Sequence, residues 1–102
     1  SFEWINADDK DRSIYSYIRK SENGRNNILV VLNMTPMERK DYQVGVDKKK
    51  KYKLLLNSDD IDFGGNGSVI PKEVTAKAVK CDNRPYSLTF DLPAYGAVLF
   101  LF

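Results

Sequence analysis

Asn27-Ile28-Leu29-Val30-Val31-Leu32-Asn33-Met34-Thr35-Pro36 is the stretch that decides the fold. Its five consecutive aliphatic residues are too few for a helix with a buried stripe. They suit an extended chain, whose pleated surface packs branched side chains well. Successive side chains of a strand point to opposite faces, so both faces here are apolar. The stretch therefore predicts a central strand that is covered twice. Asn33 and Thr35 put short polar groups at its end, and Pro36 cannot continue a hydrogen-bonded ladder. Asn33, Thr35 and Pro36 are thus expected to end the strand and fix a corner through bonds from side chain to backbone.

On either side of this strand, short alternating or continuous apolar runs recur, and a helical 3.6-residue period is hard to find. Strands are predicted at residues 2–5, 13–19, 27–34, 41–46, 52–56, 74–80, 86–92 and 96–101. In the second of these, Ile14, Ser16 and Ile18 share one face, with Tyr15, Tyr17 and Arg19 on the other. Turn signals separate the runs: Asn23-Gly24, Thr35-Pro36, Gly64-Gly65-Asn66-Gly67, Asn83-Arg84-Pro85 and Pro93. One helical turn is expected, around residues 8–12. Eight short strands at this spacing predict an all-β fold, an antiparallel β-sandwich, in one domain over residues 1–102.

Composition removes whole classes of function. With 42% hydrophobic and 29% charged residues, the chain is globular rather than disordered. Its longest apolar runs, 28–32 and 97–102, fall far short of the ~20 residues of a membrane span, so no membrane partner is expected. Net charge is +2, from 16 basic and 14 acidic residues. The notable run is Lys48-Lys49-Lys50-Lys51, with Lys53 beyond it. A nucleic-acid reader would interleave aromatic and basic side chains over a whole face. The run is instead expected to be a solvated hairpin tip, and no nucleic-acid partner is expected.

There is no histidine, which excludes a Ser-His-Asp or Cys-His nucleophile pair and removes the commonest metal ligand. Cys81 is the single cysteine, so no internal disulfide and no thiolate cluster can form. It is expected to pack as a small hydrophobe at a strand end, and a lone thiol points to a reducing, cytoplasmic setting. The chain opens on Ser1-Phe2 without an initiator Met, which suggests a piece of a longer protein.

Carboxylates are the remaining catalytic candidates. Glycoside chemistry needs a pair of them about 5–9.5 Å apart. Asp8, Asp9 and Asp11 form one cluster and Asp59, Asp60 and Asp62 another, both in expected loops, where Asp commonly bonds its own backbone. Neither cluster has an apolar pocket to split the pKa values of a pair, and Asp59-Asp60-Ile61-Asp62 lacks the alternating ligands and distal Glu of a calcium loop. No catalytic residue, metal or cofactor is expected. Gly64 to Gly67 lacks the lysine and following helix of a phosphate loop, so its glycines are expected to serve a tight turn or a close backbone approach. Among the aromatic residues, Tyr42 and Tyr52 flank the lysine turn and are expected to give a surface sugar contact. Phe2, Trp4, Phe90, Phe100 and Phe102 are expected in the core or at a domain interface.

In order along the chain stand Phe2-Glu3-Trp4-Ile5-Asn6-Ala7-Asp8-Asp9, Tyr17-Ile18-Arg19-Lys20, and Leu29-Val30-Val31-Leu32-Asn33-Met34-Thr35-Pro36. Tyr42-Gln43-Val44-Gly45-Val46, Tyr52 to Asp59, Phe63-Gly64-Gly65-Asn66-Gly67 and Leu92-Pro93-Ala94-Tyr95-Gly96-Ala97 follow. Each motif alone is weak, but their order and spacing resemble the C-terminal domain of 1,4-α-glucan (glycogen) branching enzymes, of the α-amylase superfamily. The likeness covers essentially the whole chain. It departs at Asn6, where the family usually has Asp, at Asp47 and Lys50, where it has Pro and Gly, and through residues 68–82. Either Lys50 takes the left-handed conformation of that glycine, at about 1 kcal/mol, or the turn has another shape.

The resemblance implies a parent enzyme with an N-terminal β domain, a catalytic (β/α)8 barrel and this sandwich. The barrel would hold the Asp nucleophile and the Glu acid/base, so nothing catalytic carries over to these residues. It further implies that the domain packs on the barrel of its own chain and meets α-glucan only weakly. Phe2, Trp4, Phe63, Gly64 and Gly65 are expected at that interface, with Asn57 and Asp59 as turn builders beside Asn33, Thr35 and Pro36. A self-standing glucan-binding module is the alternative, and an interaction module using the lysine turn on an acidic partner is a third. Glucan affinity of the domain alone separates the second, and salt-sensitive binding of polyanions the third.

Overall fold

The computed structural model describes residues 2–9 and 13–102. Eight antiparallel strands are found among them: β1 (Phe2–Asp9), β2 (Ile14–Arg19), β3 (Ile28–Asn33), β4 (Arg39–Val46), β5 (Lys51–Asn57), β6 (Glu73–Thr75), β7 (Tyr86–Leu92) and β8 (Ala97–Leu101). They form a six-stranded sheet in the order β1-β2-β3-β8-β5-β6 and a two-stranded sheet of β4 and β7. The alternation read in β2 is realised, since Ile14, Ser16 and Ile18 are all buried.

The core lies between the sheets. Leu29 and Val31 of β3, Val98 and Phe100 of β8, Val44 and Val46 of β4, and Leu88, Phe90 and Leu92 of β7 are buried in one cluster. Phe90 and Phe100 meet across the gap with ring centroids 5.1 Å apart. Phe102 packs part-buried against Tyr52, at 4.7 Å.

The corner after β3 is built as its sequence requires. The buried Asn33 amide donates to the carbonyl oxygens of Met37 (2.9 Å) and Pro93 (3.0 Å). Its oxygen accepts from the Thr35 N–H (3.0 Å) and the Thr35 hydroxyl (2.7 Å). One side chain thereby ties the end of β3 to the entrance of β8.

A tight turn at residues 81–84 closes the sandwich between β1 and β4. Asp82 and Asn83 hold it with φ of 52° and 62°, a region that Asp and Asn tolerate better than most residues. The Asp82 carboxylate accepts from the Asn6 amide (3.2 Å) and from the Gly45 N–H (2.9 Å). Arg84 donates to the Trp4 carbonyl and to Glu3, both at 3.1 Å. Gly45 is needed there, because a Cβ would lie 2.0 Å from the Cys81 carbonyl oxygen. Cys81 itself forms a bridge with Arg84 in this turn.

Several boundaries differ from the sequence reading. β1 runs on to Asp9 past two register shifts, so the expected helical turn at 8–12 is strand at Asp8 and Asp9, and residues 10–12 lie outside those described. The strand expected at 74–80 stops at Thr75, because the chain then crosses to bridge Lys77 with Ser87 of the other sheet. Lys50 is not among the residues of positive φ, so the lysine turn has another shape than a left-handed one at that position. Replacing Asn33 by Leu keeps the volume but leaves two carbonyls without their donor. It should cost about 1–3 kcal/mol, seen as a lower urea midpoint with an unchanged slope.

Candidate functional site

The residues between β5 and β6 form a loop locked from within. The Asp59 carboxylate is buried and accepts from the Asn66 N–H (3.0 Å), the Ser68 N–H (3.1 Å) and the Ser68 hydroxyl. Asn57 donates to the Ser68 carbonyl (2.9 Å) and accepts from the Asp59 N–H (3.1 Å). Asp60 caps the short 3₁₀ turn Ile61–Phe63 by accepting from the Asp62 N–H, and Gly64 ends it in the left-handed region at φ 78°. Gly65 lies so close to Asp59 that a Cβ would meet the Asp59 carbonyl oxygen at 2.2 Å. Gly64 and Gly65 therefore serve the loop's own geometry. What the loop offers outward is apolar: Ile61 is 73% exposed and Phe63 64%.

This accounts for one acidic cluster. Asp59 and Asp60 bond backbone of their own loop. The Asp59 carboxyl is held below its ordinary value of 3.8, first by the Asn66 N–H and then by the Ser68 hydroxyl. That direction suits an ionised structural group rather than a proton donor. Of the other cluster, Asp8 and Asp9 end β1, and Asp11 lies outside the described residues. Among the described residues, no group of three or more His, Cys, Asp or Glu is placed to hold a metal ion.

The two tyrosines expected as a sugar contact are corrected by their burial. Tyr52 is 0% exposed and Tyr42 6%. Both fall at inward positions of their strands: Tyr42 is paired with Phe90, and Tyr52 lies against Phe102. The Tyr52 hydroxyl donates to the Lys48 carbonyl (2.8 Å), so it holds the lysine turn from inside. Burial, with Asp47 adding to it, pushes its pKa up to about 12. Neither ring offers a face to a ligand.

Phe2 and Trp4 have the opposite setting. They are 52% and 48% exposed, on the outer side of the six-stranded sheet. With Tyr17 they form an aromatic corner, with ring centroids 4.8–5.5 Å apart. Glu3, between them in sequence, turns the other way and joins Lys20 and Arg84, each at 3.1 Å. Those bonds, the one to Lys20 first, hold the Glu3 carboxyl below its ordinary value. The role of Arg84 is not evident in the sequence, because Glu3 and Trp4 lie about eighty residues away. The outward row Val30, Leu99 and Leu56 was likewise invisible, since it depends on β3, β8 and β5 becoming neighbours.

Two packed antiparallel sheets, closed by turns and carrying these structural carboxylates, define an all-β sandwich domain. The chain belongs to the family described as alpha amylase, C-terminal all-beta domain, which it matches over residues 4–102. It is 54% identical to the 1,4-alpha-glucan branching enzyme GlgB of Butyrivibrio fibrisolvens over 99% of this chain and 16% of that protein. It is 38% identical to GlgB 1 of Clostridium perfringens strain SM101 over 97% of this chain and 15% of that protein. To GlgB of Halothermothrix orenii it is 35% identical, over 97% and 16%. The chain thus spans about one-sixth of the length of these relatives. Among the described residues, no helix is long and apolar enough to cross a membrane.

A carboxylate whose pKa is depressed by folding stabilises the fold above its unfolded value, and that contribution is lost as pH falls through the folded value. Asp59→Asn should therefore lower the urea midpoint at about pH 6. The gap from the unsubstituted chain should narrow towards about pH 3, below the ordinary value of 3.8, where the unfolded chain takes up the proton more readily than the folded one. Paired urea titrations at the two pH values check this.

Proposed function

We propose that this chain is the C-terminal domain of a 1,4-α-glucan branching enzyme and supplies no catalytic group. Its role is to pack against the catalytic barrel of the same parent chain and to stabilise it. The parent would cleave an α-1,4 glucan chain and transfer the segment to a 6-hydroxyl, building α-1,6 branches in glycogen synthesis. The observation that carries this reading is the end-to-end likeness to branching enzymes of which the chain spans only a sixth. The use of Asp59 and Asp60 as loop builders supports it from within the structure.

The domain needs no cofactor in this role, and any contact with α-glucan is weak. A self-standing glucan-binding module is disfavoured by the burial of Tyr42 and Tyr52. The presence of a single cysteine in the sequence supports a cytoplasmic setting.

Two assays test the reading. The 102-residue chain should leave the iodine colour of amylose unchanged over time, whereas the parent removes it. The parent cut before this domain should unfold at lower temperature and lose branching activity on mild heating. A parent that keeps its stability and activity without the domain would contradict the proposal.

A further inference from the structure

β3 is apolar on both faces, and on the outer one Val30 is 4% exposed while Ile28 and Leu32 are half-buried. Leu29 and Val31 enter the core, whereas Ile28, Val30 and Leu32 point away from it. Strand pairing extends that outward surface across the sheet. Trp4 stands opposite Tyr17, Tyr17 opposite Val30, Val30 opposite Leu99, and Leu99 opposite Leu56. An uncharged row thereby crosses five of the six strands. At its far side a β-bulge leaves Leu55 half exposed, and a shallow apolar cavity of about 400 Å³ runs from Leu55 to Phe63 and Val69 on the locked loop. The outer side of the two-stranded sheet is different: Gln43 stands there opposite Thr89, and both are exposed polar side chains.

We propose that this outer face of the six-stranded sheet, from Trp4 through Val30 and Leu99 to Leu56 and the Phe63 loop, is the surface that docks on the preceding part of the parent chain. The inference rests on the reading above and says which face meets the barrel. Three observations favour that occupant. Some five-sixths of the relatives' length lies outside the matched stretch, and the family is a C-terminal domain, so the remainder precedes it. Phe2, at the start of β1, lies at the edge of this same face. The polar outer side of β4 and β7 leaves the other broad face suited to water.

The physical chemistry agrees. Contiguous apolar surface beyond a few hundred Å² is rare on monomeric proteins and marks an interaction site. Large aromatic side chains dominate the energetics of such contacts. Phe63 is displayed on a loop already fixed by Asp59, Asn57 and two glycines, so docking it orders little new chain.

Hydroxyl-radical footprinting of the intact parent enzyme tests the proposal, with Met37 and Tyr95, exposed at one end of the sandwich, as internal references. Trp4, Tyr17, Leu99 and Phe63 should be modified several-fold more slowly than their exposure in the domain predicts, while Met37 and Tyr95 react freely. Protection of Met37 and Tyr95 instead, with Trp4 and Phe63 reacting freely, would overturn the proposed face and leave the packing role standing. Free reaction of all six would overturn both.

Discussion

Ile28–Asn33 obliges the protein to find two covers for one strand, and the rest of the structure follows from how each is supplied. The inward cover is the pair β4 and β7, whose Val44, Val46, Leu88 and Phe90 meet Leu29, Val31 and Phe100. That arrangement needs the two sheets held face to face at their rims. Asn33 does this at one end, by joining β3 to the entrance of β8. The 81–84 turn does it at one side, where Asp82 and Arg84 bond β1 and Asp82 bonds β4. Burying the Asn33 amide is tolerable because its hydrogen-bonding groups find partners, and the same bonds set the corner geometry.

The polar groups that might have suggested chemistry are spent on shape. Asp59 accepts three bonds from its own loop, Asp60 caps a turn, and Glu3 sits between Lys20 and Arg84. The lysines of the β4–β5 turn fit the same pattern. Lys48, Lys49 and Lys50 are exposed at the tip, and Lys51 and Lys53 lie on β5 beside the three-residue edge strand β6. A short, lysine-flanked edge resists pairing with a second sheet. The run therefore has a structural reason within the sandwich itself.

Much of the fold was legible because it is written in local patterns. The inward alternation of Ile14, Ser16 and Ile18 and the polar stop at Asn33 each depend on a few consecutive residues. The extent of β7 was read to the residue for the same reason. What escaped was set by distant partners. Tyr42 and Tyr52 look like rim residues from their nearness to the lysine turn, yet strand pairing points both rings into the core. The strand expected at 74–80 breaks at Thr75 because Lys77 pairs with Ser87, ten residues on, in the other sheet. The double apolar character of β3 was visible, but its outward neighbours Leu99 and Leu56 come from strands whose adjacency no local pattern states.

The proposed docking would set the parent's preceding part over the outer face of β3. Its most direct test is thermal unfolding of the parent enzyme carrying Leu99→Lys, compared with Thr89→Lys on the polar outer face. Leu99 is part-exposed within the sandwich, so a lysine there can reach water unless another surface covers it. The account predicts a lower unfolding temperature for the catalytic part with Leu99→Lys and no change with Thr89→Lys. Equal unfolding temperatures for the unsubstituted parent and the Leu99→Lys variant would contradict it.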